Sequence, residues 1–388
     1  MKQFTKIHIH KDTLSALLLF LGVMLALIIS NHDSALSYYR SFINYKFTLG
    51  LGPFTLDKTI LKFVNDGLMA IFFFFLGLEM KYHITEGEFK ERKSLLLPTI
   101  TAVGGFVVPA FLYLIFNLES PDGKIGWAIP VATDTAFVLA ILSLIGNKVS
   151  NNTRVFVVGL SIIDDVLAVL VLAIFYTPNL DLMQLLLCSI PLGFLTTLNL
   201  RESYNRYLYY LGGIALWLLV VRSGVHGTIA GILLALFIPT NIKLDDRNIP
   251  LIKEIESSIH SVVAFFVLPL FAFVNCELPL NELSVEDILS SISMGCFVGL
   301  FVGKPLGIFG TMIIAKYFKI ATLPQGITKG QLLGISFLCG IGFTLSLFIG
   351  LLAFDSVKLE NQMKVGVLLA SLFSAIIGTI IIKFCEDK

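Results

Sequence analysis

Three carboxylates and one ammonium stand in stretches of this sequence that otherwise carry no charge. Asp164 and Asp165 are adjacent in the apolar run Val155 to Phe175, Lys304 lies in Phe301-Val-Gly-Lys-Pro-Leu-Gly307, and Asp134 follows Thr133 in Gly126-Trp-Ala-Ile-Pro-Val-Ala-Thr-Asp-Thr-Ala136. An aspartate at the centre of a membrane helix costs about 2.5–3.5 kcal/mol, so the adjacent pair costs roughly 5–7 kcal/mol before any pairing. A static ion-pair brace needs one aspartate, and here there are two. Helical neighbours point about 100° apart, so one can meet Lys304 while the other faces a water-filled cavity. Carboxylates this close titrate as a coupled unit. Such a site holds a small cation or protons, but not both. Na⁺ takes hard oxygen ligands, which the carboxylates, the Thr133 hydroxyl and the carbonyls of a broken helix supply. A site that faced alternate sides of a membrane according to its load would exchange the two. Two carboxylates holding one monovalent cation need two protons to neutralise them, so that exchange is expected to be electrogenic.

The elements that hold these residues follow from composition. The chain has 388 residues, 56% hydrophobic and only 14% charged, with mean hydropathy +0.86. A soluble domain carries about 25% charged residues. Runs of about 20 apolar residues recur along the whole length, each long enough for a bilayer core of about 30 Å. This predicts an all-α polytopic membrane protein with about twelve transmembrane helices, near 12–30, 59–82, 95–116, 125–145, 151–176, 181–199, 205–222, 223–238, 250–276, 288–316, 327–351 and 357–384. The first run follows Lys2, Lys6 and Lys11, but it is too long for a signal peptide and no cleavage site follows it, so it reads as a retained span. An even count puts both termini on one side. Nineteen Lys and Arg then fall on the terminal side and eight on the other, which makes the termini cytoplasmic.

Two spans are poor helices. Pro130 removes a backbone bond next to Thr133 and Asp134, and Gly340 and Gly342 weaken the run Gly334 to Ser346. Each is the middle member of a triplet, 95–176 or 288–384, and the alternation gives the triplets opposite orientation. Paired interruptions in two inverted three-helix repeats point to a transporter binding site. Residues 46–57 alternate with a period of two around Gly52-Pro53, which reads as a short external β-hairpin packed on the membrane surface or on another subunit, with a plain surface loop as the equal alternative from these residues alone.

A net charge of +1 excludes a basic field for nucleic acid. The five cysteines form no CxxC pair, so neither a disulfide framework nor a zinc site is indicated. No cofactor is called for and no enzyme chemistry. An intramembrane aspartyl protease would use Asp134 and Asp164 on different helices, but it gives no role to Lys304 or to the second adjacent aspartate. A sodium-coupled anion symporter of related fold is the nearer alternative.

Val131-Ala-Thr-Asp-Thr-Ala-Phe137, Ile162-Ile-Asp-Asp165, Gly303-Lys304-Pro-Leu-Gly307, Asn65 to Phe73 with Gly77-Leu-Glu79, Ser223 to Gly231 and Leu268 to Asn275 together resemble the NhaA family of bacterial sodium/proton antiporters. The resemblance runs in order over nearly the whole chain. Inverted repeats are a known feature of that family, so the repeat argument and the resemblance are one line of support. The resemblance implies a single transporter domain over 1–388. Its core is formed by the repeats at about 95–176 and 288–384, with unwound, crossing middle helices, and interface helices lie at about 12–30, 59–82 and 181–276. It implies a homodimer joined partly by the hairpin, in the inner membrane and its lipid bilayer, exchanging sodium or lithium for protons. By position, Asp164 and Asp165 would carry the cation and protons, Lys304 would pair with Asp164, and Asp134 and Thr133 would serve the crossed chains. Glu79, Glu256 and His260 would lie in a pH-sensing cytoplasmic funnel. His83 stands where the family commonly has an acid, four positions past Glu79, so the pH response is expected to differ.

Overall fold

The computed structural model describes residues 2–49, 56–87, 92–146, 149–176, 181–244, 247–324 and 326–385. In chain order these form α1 (Lys2–Ser30), α2 (Asp33–Ile43), β1 (Lys46–Leu49), β2 (Leu56–Thr59), α3 (Ile60–Thr85) and α4 (Arg92–Phe116). A 3₁₀ turn at Ile125–Val131 precedes α5 (Thr135–Ile145). Then come α6 (Asn151–Phe175), α7 (Leu182–Leu200), α8 (Arg206–Arg222), α9 (Gly227–Phe237), β3 (Ile242–Leu244), β4 (Arg247–Ile249) and α10 (251–275). The chain closes with α11 (Val285–Ile288), α12 (Ser291–Tyr317), α13 (Lys329–Leu338), α14 (Phe343–Ala353) and α15 (Val357–Phe384).

Among the described residues nine helices are long and apolar enough to cross a membrane, or ten if the bent pair α13 and α14 is one span. The protein is therefore a multi-pass, all-helical membrane protein with little sheet. Two of the twelve expected spans, 205–222 and 223–238, correspond to α8 and α9, of 17 and 11 residues. At about 1.5 Å per residue these reach roughly 26 and 17 Å, so α8 lies at the lower limit for a membrane span and α9 below it. The boundary expected between them falls at Ser223-Gly224, with Gly224 at φ +82°.

The chain divides into two compact units. The first holds residues 91–171 and 278–388, with the start of the chain. In it α4 packs along α12, where Gly104 stands so close to the Gly307 carbonyl and to Thr311 that a Cβ would collide. This is how membrane helices gain contact without a hydrophobic driving force. α15 packs on α13 and α12. The connection before α12 is tied down at α11, where Ser284 and Asp287 form a capping box and Asp287 accepts from Gln362 Nε2 at 2.9 Å.

The second unit holds 19–90 and 172–277. α9 lies along α3, with Gly231 against the Ala70 carbonyl. Asn65 and Asn275 exchange side-chain hydrogen bonds at 3.0 and 2.8 Å. β1 and β2 pair antiparallel from Lys46↔Thr59 to Leu49↔Leu56, and Phe47 packs edge-on against Phe63. The turn expected at Gly52-Pro53 lies outside the described residues.

Candidate functional site

The first unit carries two breaks in its helices. Ala132 to Asp134 are extended between the 3₁₀ turn and α5, because Pro130 and the polar pair Thr133-Asp134 do not continue a helix. α13 ends at Leu338 and α14 begins at Phe343, bent by 41° across Gly340 and Gly342. The two breaks bond to each other. Asp134 N–H donates to the Ile341 carbonyl at 2.6 Å, Thr133 Oγ1 to the Cys339 carbonyl at 2.9 Å and Ser346 Oγ to the Ile129 carbonyl at 2.7 Å. The Asp134 carboxylate accepts from Phe137 N–H at 3.4 Å through one oxygen. The other accepts from Thr344 N–H at 3.1 Å and Thr344 Oγ1 at 2.6 Å. A single buried carboxylate thus sits at the first turn of both α5 and α14. The orphan N–H groups and positive dipole ends of both helices favour its negative charge.

Asp164 and Asp165 occupy the middle of α6, 13 and 14 residues past Asn151, about 20 Å along the helix. Both are buried. Lys304 is fully buried and its Nζ donates to Asp164 Oδ2 at 2.5 Å. The lysine is set by a π turn at Gly299–Gly303, where its own N–H reaches back to the Gly299 carbonyl, and by Pro305, which has no N–H to give. Single π turns inside α-helices are frequent at functional sites because they redirect one side chain without ending the helix. Thr133 also interacts with the Asp164 carboxylate. Its hydroxyl stands between the Cys339 carbonyl and the Asp164 carboxylate, and Asp164 Oδ1 takes no hydrogen bond of good geometry. Four of the five expected site residues, Asp134, Thr133, Asp164 and Lys304, are therefore linked to one another and to the two breaks, and Asp165 is buried next to Asp164. Among the described residues no group of three His, Cys, Asp or Glu side chains is arranged for a resident metal.

The residues expected in a pH-sensing funnel lie in the second unit. Glu256, on α10, pairs with Lys253 Nζ at 2.5 Å and is mostly buried. His83, near the end of α3, feels the charges of both Lys253 and Glu256, and Lys253 Nζ also lies 4.8 Å from the Tyr82 ring centre. His260 packs edge-on against Phe75 with ring centres 5.6 Å apart. Glu79 is half-buried on α3, four residues before His83. His83 thus lies within electrostatic reach of Lys253 and Glu256, whereas His260 packs on Phe75.

Sequence reasoning missed Thr344, Ser346 and Lys253. Thr344 and Ser346 follow the glycines that marked the second break, and hydroxyls in an otherwise apolar run were the signal available. Lys253 stands three residues before Glu256, the spacing of a helical ion pair. Asp66, in the π turn Val64–Leu68 of α3, accepts from Lys58 Nζ of β2 at 2.5 Å.

The model of the family described as Na+/H+ antiporter 1 matches residues 6–382. Curated relatives named Na(+)/H(+) antiporter NhaA are similar over nearly the whole chain. One from Rickettsia massiliae is 41% identical over 98% of this chain and 94% of its own length. One from a Nitratiruptor species is 42% identical over 96% of both, and one from Escherichia coli is 39% identical over 96% of both. With a family match over almost every residue and relatives at this identity, the chain belongs to the Na+/H+ antiporter 1 family.

Proposed function

We propose that this chain is a secondary active transporter that exchanges Na⁺ or Li⁺ for H⁺ by alternating access, with the ions as substrates and no cofactor. The observation that supports this most is the fully buried Lys304–Asp164 ion pair at mid-span, with a second buried aspartate at the next position. Three ionisable groups this deep serve poorly as packing, because each charge costs desolvation that a pure brace would not need. In family members named as Na⁺/H⁺ antiporters the transported ions are given by the name.

Asp164 and Asp165 are the carriers in this reading. An arriving cation takes the Asp164 carboxylate from the Lys304 ammonium and takes Asp165 as it gives up its proton. The second proton leaves from the displaced Lys304, or from Asp164 if the proton-loaded state instead holds both carboxylates protonated; either way two protons move against one cation and exchange is electrogenic. Thr133 and the carbonyls freed at the two breaks complete the oxygen shell. Asp134 keeps the broken segments together while the load changes.

The first unit would be the transporting core, built from the repeats near 95–176 and 288–384. The helices near 12–30, 59–82 and 181–276 would form the interface scaffold of a homodimer, joined partly by β1 and β2. The inner membrane, with both termini cytoplasmic, fits the excess of Lys and Arg on the terminal side. The two short helices are consecutive, so counting both or neither leaves that parity unchanged. Glu79, His83, Glu256 and His260 would set the response to cytoplasmic pH.

The test is ΔpH in everted vesicles at several pH values, with Na⁺, Li⁺ and K⁺ added in turn. Na⁺ or Li⁺ should dissipate the gradient, K⁺ should not, and an imposed membrane potential should change the rate. Vesicles in which no cation moves protons would overturn the reading, and a rate indifferent to potential would overturn the two-proton count.

A further inference from the structure

Ser161 is a buried hydroxyl with no partner, one helical turn before the two aspartates. It is 1% exposed, and its Oγ makes no hydrogen bond. Hydroxyls inside helices ordinarily donate to the carbonyl one turn back, and in this chain many do. Thr101 donates to Leu97, Thr196 to Leu192, Thr197 to Gly193, Thr311 to Gly307 and Ser336 to Leu332. For Ser161 the equivalent acceptor is the Val157 carbonyl, and the side chain does not use it. A buried hydroxyl left without a partner is costly, so an atom in this state marks a place where something else supplies the contact.

Its position says what that is. Residues i, i+3 and i+4 share one face of a helix, with Cβ atoms about 5–6 Å apart, so Ser161 lies on the face that carries Asp164 and Asp165. Asp164 Oδ1 also takes no hydrogen bond of good geometry. Two buried oxygens without a well-placed donor on one face of α6 are arranged for a cation and not for another donor. A hydroxyl oxygen is a hard, neutral ligand of the kind Na⁺ takes. We infer that Ser161 Oγ is a ligand of the transported cation, adding a neutral oxygen to the Asp164 and Asp165 carboxylates and so setting cation affinity. This rests on the reading of Asp164 and Asp165 as carriers.

A neutral ligand and a positioning hydrogen bond leave different marks. Losing a neutral ligand weakens cation binding and leaves the proton affinity of the carboxylates as it was. The apparent KM then rises by the same factor at every pH. Losing a hydrogen bond to a carboxylate instead moves the KM profile along the pH axis. The experiment measures Na⁺-driven ΔpH in everted vesicles from acid to alkaline pH for the parent, Ser161→Ala and Ser161→Thr. The Na⁺-induced rise in melting temperature of each purified full chain is measured alongside. Ser161→Ala should raise the Na⁺ KM about three- to tenfold at every pH with maximal rate within about twofold, and shrink the Na⁺-induced melting shift; Ser161→Thr should restore both. An unchanged KM in Ser161→Ala, a profile displaced along the pH axis, or a fall in maximal rate alone would each overturn the assignment. Asp164→Asn is run beside them. Normal exchange by that variant removes the carrier reading itself, whereas its inactivity together with a silent Ser161→Ala removes only the serine.

Discussion

The charged cluster around Asp164 and the one around Glu256 use the same chemistry, a lysine against a carboxylate at 2.5 Å, in opposite settings. In the first, the side chains are 0% and 2% exposed, the partners come from different helices, and the lysine follows a π turn. In the second, Lys253 is 47% exposed and pairs with Glu256 one turn along a single regular helix. Burial makes every charge in the first cluster expensive, so a change of load must be matched by a proton or a cation. The second cluster is open on one side only, an exposed Lys253 against a mostly buried Glu256, so its lysine can swing into solvent while the first cluster's cannot. The first arrangement suits exchange, and the second suits adjustment of its rate.

Removing a carrier should have the largest effect. Asp164→Asn and Asp165→Asn should each abolish exchange with near-normal expression, because an amide in place of a membrane carboxylate lowers the insertion cost. Near-normal ΔpH activity in either variant would erase the contrast between the clusters, since charge in the buried one would then be dispensable.

Lys304 tests the cost of burial directly. Breaking a buried pair by deleting one partner costs about 3–5 kcal/mol, so Lys304→Ala should lower the melting temperature markedly. Lys304→Arg keeps a cation and should hold stability better, but guanidinium does not deprotonate and competes with the transported ion at every pH, so exchange should shift to higher pH. Lys253→Ala removes a half-exposed partner from a mostly buried Glu256 and should lower melting by less than Lys304→Ala. Equal losses from Lys304→Ala and Lys253→Ala would mean that burial does not distinguish the clusters.

The hydrogen bonds that join the breaks come next. Thr344→Val keeps the shape and removes the 2.6 Å hydroxyl bond to Asp134, a bond to a charged group worth about 1.5–3 kcal/mol. The backbone N–H of residue 344 would still donate. Melting should fall by that modest amount, and the maximal rate should fall more than the cation affinity changes. A variant with parent-like melting and rate would show that Asp134 is held well enough by backbone donors alone.

Charge in apolar runs made Asp134, Asp164, Asp165 and Lys304 legible from sequence, because a membrane turns each into an energetic exception. Pro130 and the glycines near 340 marked the breaks for an equally local reason: they fail as helix formers whatever surrounds them. What stayed hidden depended on partners distant in sequence. Thr344 is 210 residues from Asp134, and its hydroxyl looks like any other until the two breaks meet. The length of α9 was also illegible, since the expected span 223–238 counts apolar residues without seeing that the helix itself starts only at Gly227 and has 11 residues. Asp66 and Lys58, eight residues apart, pair only because the π turn of α3 places the carboxylate towards β2.

The smallest effect is expected at His83, and it sharpens what the Lys253–Glu256 cluster does. Histidine is the side chain whose charge ordinarily changes between pH 5 and 8, and here the ring is felt by Lys253 and Glu256. As pH falls the ring gains a proton, adding positive charge beside the Lys253 ammonium and repelling an arriving cation. As pH rises that repulsion is lost, which steepens activation. His83→Glu replaces a charge that switches by one that stays negative through the same range, so the rise of apparent KM towards acid pH should become shallower. An interaction of a few tenths of a kcal/mol, as for partly exposed pairs, corresponds to about a two- to threefold change in KM at the acid end. The competing account places all of the pH dependence in protons and cation contending for Asp164 and Asp165, with no contribution from the second unit. Apparent cation KM measured against pH for the parent and His83→Glu separates them. Curves that superimpose assign the whole response to the buried aspartates, whereas curves that converge at alkaline pH and part at acid pH assign the difference to His83.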